Sequence, residues 1–293
     1  MSTLITGVSG FIGFNLCRKL LAKGESVIGL HTPIDSNSPN GTQNSNPQQV
    51  EIAIQRIDEL QSSANANHIT ILPSDLTCEN SIQKVMADCQ PATVIHLPEI
   101  ENSPNESQKA ITTTINVLET CRLNDVQHFL MNSSHAVYFP HQHSNMSVHE
   151  LTEHPRNLKA ATARSCELLT HGYSQEFQLP CTLVRLFNVY GAQADSINFI
   201  AQLWHKVEQE EKIDISHYLG HEFDFTYIDD VCNTFVRLME HPAKANPDWE
   251  LDEEHLDSSD APWRIYNSGR GVGTSIQVLI ATLEEIIGKK ARL

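Results

Sequence analysis

The residues STLITGVSGFIGFNLCRKLLAKG at the N-terminus constrain the fold of this chain more than any other stretch. STLITG is a short β-prone run that ends in glycine. FIGFNLCRKLLAKG follows with helical spacing: Ile12, Leu16, Leu20 and Leu21 fall on one face, and Gly24 fits as a C-terminal stop. Gly7, Gly10 and Gly13 sit between strand and helix. Glycines let a backbone turn sharply and approach a pyrophosphate, and a helix start at Phe11 and Ile12 offers it free N–H groups and a partial positive charge. Without a ligand the same residues make a tight strand-to-helix turn. Placed after a strand and within a βαβ unit, the pattern predicts a dinucleotide site.

The rest of the chain keeps the alternation. SVIGL, HITILPSDL, TVIHL, HFLMNSS and CTLVRLF read as strands. Helical patterns separate them at VEIAIQRIDELQSS, 79–88, 105–123 and 157–178. Asp35 to Gln49 has no apolar side chain except two prolines and reads as a mobile loop. Strands apolar on both faces, alternating with helices, predict an α/β fold: a doubly wound parallel sheet covered on both sides. After about residue 188 the alternation loosens. Residues 241–262 form an acidic loop, RIYNSG reads as a strand and SIQVLIATLEEIIGK as a helix.

Net charge is −16 with 40% apolar residues. The charge argues against nucleic acid and against an anionic membrane surface, since both need a basic face. No run approaches the roughly 18 apolar residues of a membrane span, and MSTLITGVSG lacks the features of a signal peptide. The seven cysteines form no C-x-x-C pair and read as reduced, mostly buried thiols of a cytoplasmic protein.

TGVSGFIG, the SDL turn (Ser74 to Leu76), LFNVYG (Leu186 to Gly191) and DFTYIDDV (Asp224 to Val231) together resemble the extended short-chain dehydrogenase/reductase family of NAD-dependent nucleotide-sugar epimerases and dehydratases. NPDWEL, SSDAPWRIYNSG and the helix ending GKK look most like its UDP-glucuronate 4-epimerase branch. The resemblance implies a Rossmann-type NAD-binding domain over 1–187, with returning segments at about 225–240 and 264–269. It implies a smaller substrate lobe within 188–293, shortened at its end, because family members continue well past GKK. NAD is the implied cofactor and a UDP-sugar the implied substrate. Asp75 and Leu76 fall near the adenine, Leu97 at a cofactor-facing turn, and Asn188 at the substrate. Asn188 reads equally well as a turn residue.

The family's chemistry uses a Tyr as general acid/base, a Lys four residues later that lowers its pKa, and a Ser after the fifth strand. Ser134 matches the Ser. HPRNLKAATAR aligns without a gap with H-P-x-x-x-Y-A-A-T-K, so Lys159 stands in the Tyr place and Ala163 in the Lys place. No Tyr in the chain has Lys four residues on. Other departures accompany this one. His31 replaces the Asp that accepts from the adenine ribose, a loss of about 1.5–3 kcal/mol; no Arg follows to suggest NADP. HLPE replaces H-x-A-A, so Pro98 removes a donor and Glu99 brings charge toward the phosphates. Ala110 replaces an Asn, and Phe223 an Arg for the diphosphate. Two expectations stay open: an epimerase with a rearranged base, Lys159 or His135 beside Ser134, or an inactive paralogue that binds a dinucleotide or a partner.

His135, His141, His143, His149 and His154 invite a metal reading, but solvated loop histidines explain them, so no metal is expected. Asp229 and Asp230 read as capping carboxylates at a helix start. The family pairs subunits through the helices at 105–123 and 157–178. A homodimer is therefore expected through Ile111, Ile115, Leu118, Leu158, Cys166, Leu168 and Leu169.

Overall fold

The structure is a computed structural model that describes residues 2–33, 47–138, 146–150, 152–196, 198–250 and 255–293. Seven strands form one sheet in the order β3 (Ile69–Pro73), β2 (Ser26–His31), β1 (Ser2–Thr6), β4 (Thr93–His96), β5 (His128–Ser134), β6 (Cys181–Leu186), β10 (Trp263–Ser268). Every pairing in this sheet is parallel. The order reverses direction between β1 and β4, so the carboxyl ends of those two strands flank a crevice, the place where open α/β sheets take ligands.

Alternation along each strand builds two cores. Leu4, Ile28, Leu30, Val94, Phe129, Met131 and Leu183 point to one face. There they meet α3 (Glu79–Cys89), α4 (Pro104–Leu123) and α5 (Leu158–Phe177) through Ile82, Met86, Val117, Leu118, Cys121 and Cys166. Ile5, Val27, Ile95, Leu130 and Val184 point to the other. They meet α1 (Phe11–Ala22) and α7 (Ile228–Met239) through Phe14, Leu16, Leu20, Val231 and Phe235. A fully buried Leu or Phe contributes about 1.5–3 kcal/mol, so these two layers hold the sheet between helices and fix where its carboxyl edge lies.

Local chemistry sets the boundaries. α1 ends at Lys23, and Gly24 takes φ +79, as expected for the stop. α4 starts with Ser103, whose side chain accepts from the Glu106 N–H, with Pro104 in the first turn. α5 is capped by Asn157 through the Ala160 N–H. Three expectations shift. α2 (Pro47–Ser62) begins three residues earlier than the loop expectation, because proline suits a first helical position; residues 35–46 of that loop lie outside the described residues. β3 stops at Pro73, since Asp75 closes a turn on Thr77. Asp229 and Asp230 sit in the first turn of α7, whose N-cap is Tyr227 without a side-chain bond, so they meet the helix dipole instead of capping.

The C-terminal part adds α6 (Phe199–Glu208) and α8 (Ile276–Ile287), packed through Leu203, Val207, Ile276, Ile280 and Leu283. The ribbon of β8 (Glu222–Asp224) and β11 (Gly273–Ser275) borders them. No helix among the described residues is long and apolar enough to cross a membrane.

Candidate functional site

The glycine turn is built without room for side chains. Gly7 has φ +70, and the Gly10 N–H donates to its carbonyl at 3.0 Å. A Cβ on Gly13 would lie 2.2 Å from the Gly7 carbonyl oxygen, and one on Gly7 would lie 3.2 Å from the Leu97 oxygen. Gly10 caps α1 with no side-chain bond, so Phe11, Ile12 and Gly13 open the helix with their N–H groups at its positive end. Without side chains of its own at these three positions, the backbone of the turn can approach an anion closely.

The other predicted cofactor residues line the same edge. His31 ends β2, half-buried, with Nδ1 2.9 Å from the Thr32 carbonyl. Asp75 accepts from both the N–H and the hydroxyl of Thr77, while the Leu76 carbonyl accepts from Asn116 on α4 at 2.9 Å. The Leu97 N–H donates to Thr6 Oγ1 at 2.9 Å, which in turn meets His96 Nδ1. Burial holds the His96 pKa down to about 3, so a neutral imidazole joins β1, β4 and Thr114 of α4 beneath the turn.

Ala110 and Ala163 are both fully buried and belong to one apolar cluster with Ile100, Val137, Tyr138 and Phe187. Ala110 and Ala163, which the motif alignment sets against an Asn and a Lys, thus share one apolar cluster. Removing both polar partners together leaves no buried amide or ammonium unpaired, whereas losing one alone leaves a penalty of about 1–3 kcal/mol. Lys159 lies in the first turn of α5 with its side chain exposed. Its N–H and that of Leu158 converge on Asn102 Oδ1.

Ser134 ends β5, and its hydroxyl accepts from the Ala136 N–H at 3.2 Å. His135 follows, with Nδ1 3.1 Å from the Leu186 carbonyl and its ring stacked on Phe187 at 5.3 Å. Burial pushes its pKa down; the Leu186 carbonyl opposes this, the Lys159 charge adds to it and the Asp224 charge opposes it. Asn188 has φ +20 and donates from Nδ2 to the Asp224 carbonyl at 2.8 Å, so its amide ties β6 to the C-terminal part. Phe223 is packed among Phe199, Tyr218 and Phe225, with nothing cationic in its place. Of the loop histidines, His141 and His143 lie outside the described residues. No group of three metal-ligating residues occurs among the described ones.

Two features were not visible in the sequence. Arg56 of α2 is buried against the glycine turn: it donates to the Ser9 carbonyl at 2.8 Å and pairs with Asp195 at 2.8 Å. An Arg in a polar helix reads as a surface residue, and nothing local contradicts that. Glu167 and Arg185 form a buried pair at 2.8 Å that also engages Ser133 and Tyr138. It braces β5, β6 and α5 directly behind Ser134.

Comparison with known proteins places this geometry. Residues 3–251 match the model of the NAD dependent epimerase/dehydratase family. Protein CapI of Staphylococcus aureus is 30% identical over the whole of this chain and 85% of its own length. The UDP-glucuronate 4-epimerase of Thermodesulfobacterium geofontis is 28% identical, over 99% of this chain and 81% of its own. The structure of UDP-glucuronic acid 4-epimerase from Bacillus cereus, in complex with UDP-glucuronic acid and NAD, superposes with a TM-score of 0.77 at 24% identity, covering 99% of this chain and 84% of that one. The chain belongs to the NAD-dependent epimerase/dehydratase family and is UDP-glucuronate 4-epimerase-like.

Proposed function

We propose that this protein binds NAD at the glycine turn and a UDP-hexuronate-type nucleotide sugar across the carboxyl edge of the sheet, and that it lacks the family's Tyr-x-x-x-Lys acid/base pair. The observation that carries the reading is the turn at Gly7, Gly10 and Gly13, folded so tightly before the start of α1 that a Cβ on Gly13 would meet the Gly7 carbonyl. The N–H groups of Phe11, Ile12 and Gly13 would hold the pyrophosphate. Asp75 and Leu76 would flank the adenine, His31 would meet the adenine ribose, and Leu97 would line the passage toward β4. When bound, NAD supplies the hydride acceptor; the chain supplies orientation and the proton path. Ser134 and Asn188 would meet the substrate on that edge.

A second reading, a non-catalytic paralogue that binds dinucleotide or a partner, is favoured by the apolar burial of Ala110 and Ala163 and by the exposure of Lys159. Ile115, Leu158 and Leu168 are exposed on α4 and α5 and support pairing of two copies there. Leu118 and Cys166 belong instead to the core under the sheet. All seven cysteines are free, in keeping with a reducing cytoplasm.

Thermal unfolding with NAD+, with UDP-glucuronate and with both tests the reading. Ligands that bind only the folded state raise Tm by mass action, so a rise of several degrees is expected with each. No rise with either ligand at millimolar concentration would remove it.

A further inference from the structure

We infer that His135 Nε2 is the proton acceptor and donor at the substrate hydroxyl, in place of the absent tyrosine. The inference rests on the proposed nucleotide-sugar site. The Leu186 carbonyl oxygen can only accept, so at 3.1 Å it requires the proton on His135 Nδ1. The neutral ring then carries its lone pair on Nε2, and no hydrogen bond is made at Nε2 among the described residues. Stacking on Phe187 fixes the plane of the ring, and the residue adjoins Ser134 at the carboxyl end of β5.

The charged groups facing the ring are Lys159 from the first turn of α5 and Asp224 from β8. Asp224 is already committed, since its two oxygens accept from the Arg270 and Gly271 N–H groups at 2.8 Å each. Burial and Lys159 keep the imidazole neutral, and a neutral base is what proton abstraction at neutral pH needs. Lys159 therefore acts as a positioning charge, the part a lysine plays toward tyrosine elsewhere in the family. In the step itself the hydroxyl O–H bond breaks and its proton passes to Nε2. Bound NAD would supply the hydride acceptor for the carbon's hydrogen, so loss of the proton to Nε2 and of the hydride together would give a ketone. Epimerisation would follow when the hydride returns to the opposite face of the ketone, with Nε2 handing the proton back to the oxygen.

Two measurements on the full chain test this. In ¹⁵N-resolved NMR, with His135→Gln as the assignment control, the His135 signal should show the Nδ1–H neutral tautomer, and its Nε2 shift should move when NAD+ and UDP-glucuronate are added together. The Nε2–H tautomer would overturn the proposal without reference to turnover. For 4-epimerisation of UDP-glucuronate followed by ¹H NMR, His135→Gln should lower kcat about 100-fold and leave the calorimetric Kd for NAD+ within threefold. Lys159→Ala should shift the acid limb of the pH–kcat profile to higher pH, because it removes a charge that holds the imidazole neutral. An unchanged kcat in His135→Gln, or a wild type that binds both ligands and turns over neither, would overturn it. Failure of both ligands to bind would instead remove the proposed function beneath it.

Discussion

Glu99 places a carboxyl group beside the cofactor crevice where the family has a small residue. Its side chain is exposed, yet the protein around it desolvates the carboxylate, the main reason its pKa is raised from 4.5. Lys109 opposes the rise, while Glu106, Glu101 and Asp195 add to it; Asp195 is itself engaged by Arg56. The folded-state pKa lies above the unfolded one, so protonated Glu99 favours the fold at low pH. That contribution is lost as pH rises from about 4.5 through the raised value. Above this window a negative charge faces the place proposed for the phosphates. Glu99→Ala is therefore expected to tighten NAD+ binding at pH 8 by about tenfold, equivalent to about 1.4 kcal/mol. It should also flatten the pH dependence of Kd. Equal Kd values for variant and wild type at pH 8 would show that the carboxylate does not face the ligand.

At the scale of elements, α5 shows both what the sequence displayed and what it concealed. Its boundaries were legible because Asn157 is a capping residue and Ala160, Ala163 and Cys166 share one face. The company of Ala163 was not: its neighbour Ala110 is 53 positions away, and only packing of α4 on α5 brings the two together. The two replacements, noted in the sequence as separate losses, occupy one apolar cluster. An ammonium returned alone to that cluster would be desolvated and overpacked. Ala163→Lys is expected to lower stability by about 2–4 kcal/mol, with part recovered on adding Ala110→Asn as a partner. Urea denaturation checks this. A single variant as stable as wild type would mean that the cluster opens to the crevice as the family's lysine site does.

At the scale of the whole molecule, the sheet and its two helical layers follow from period-2 and period-3.6 patterning and were readable almost strand by strand. The site was readable where it depends on backbone, at Gly7, Gly10 and Gly13, because steric need shows directly in residue type. It was not readable where it depends on long-range side-chain contacts. Arg56 reaches the glycine turn from a helix, 47 positions beyond the Ser9 it contacts, and Asn188 spends its amide on Asp224. The fold thus keeps a glycine turn at the point where strand order reverses, and the chemistry proposed beside it falls to Ser134, His135 and Lys159. The central claim is that this turn still binds. Calorimetric titration of NAD+ into the wild type and Gly13→Ala tests it most directly, since the added Cβ would sit 2.2 Å from the Gly7 oxygen. Saturable binding to the wild type and none to a folded Gly13→Ala is the expected result. No heat from the wild type, or equal affinity in both, would contradict the account.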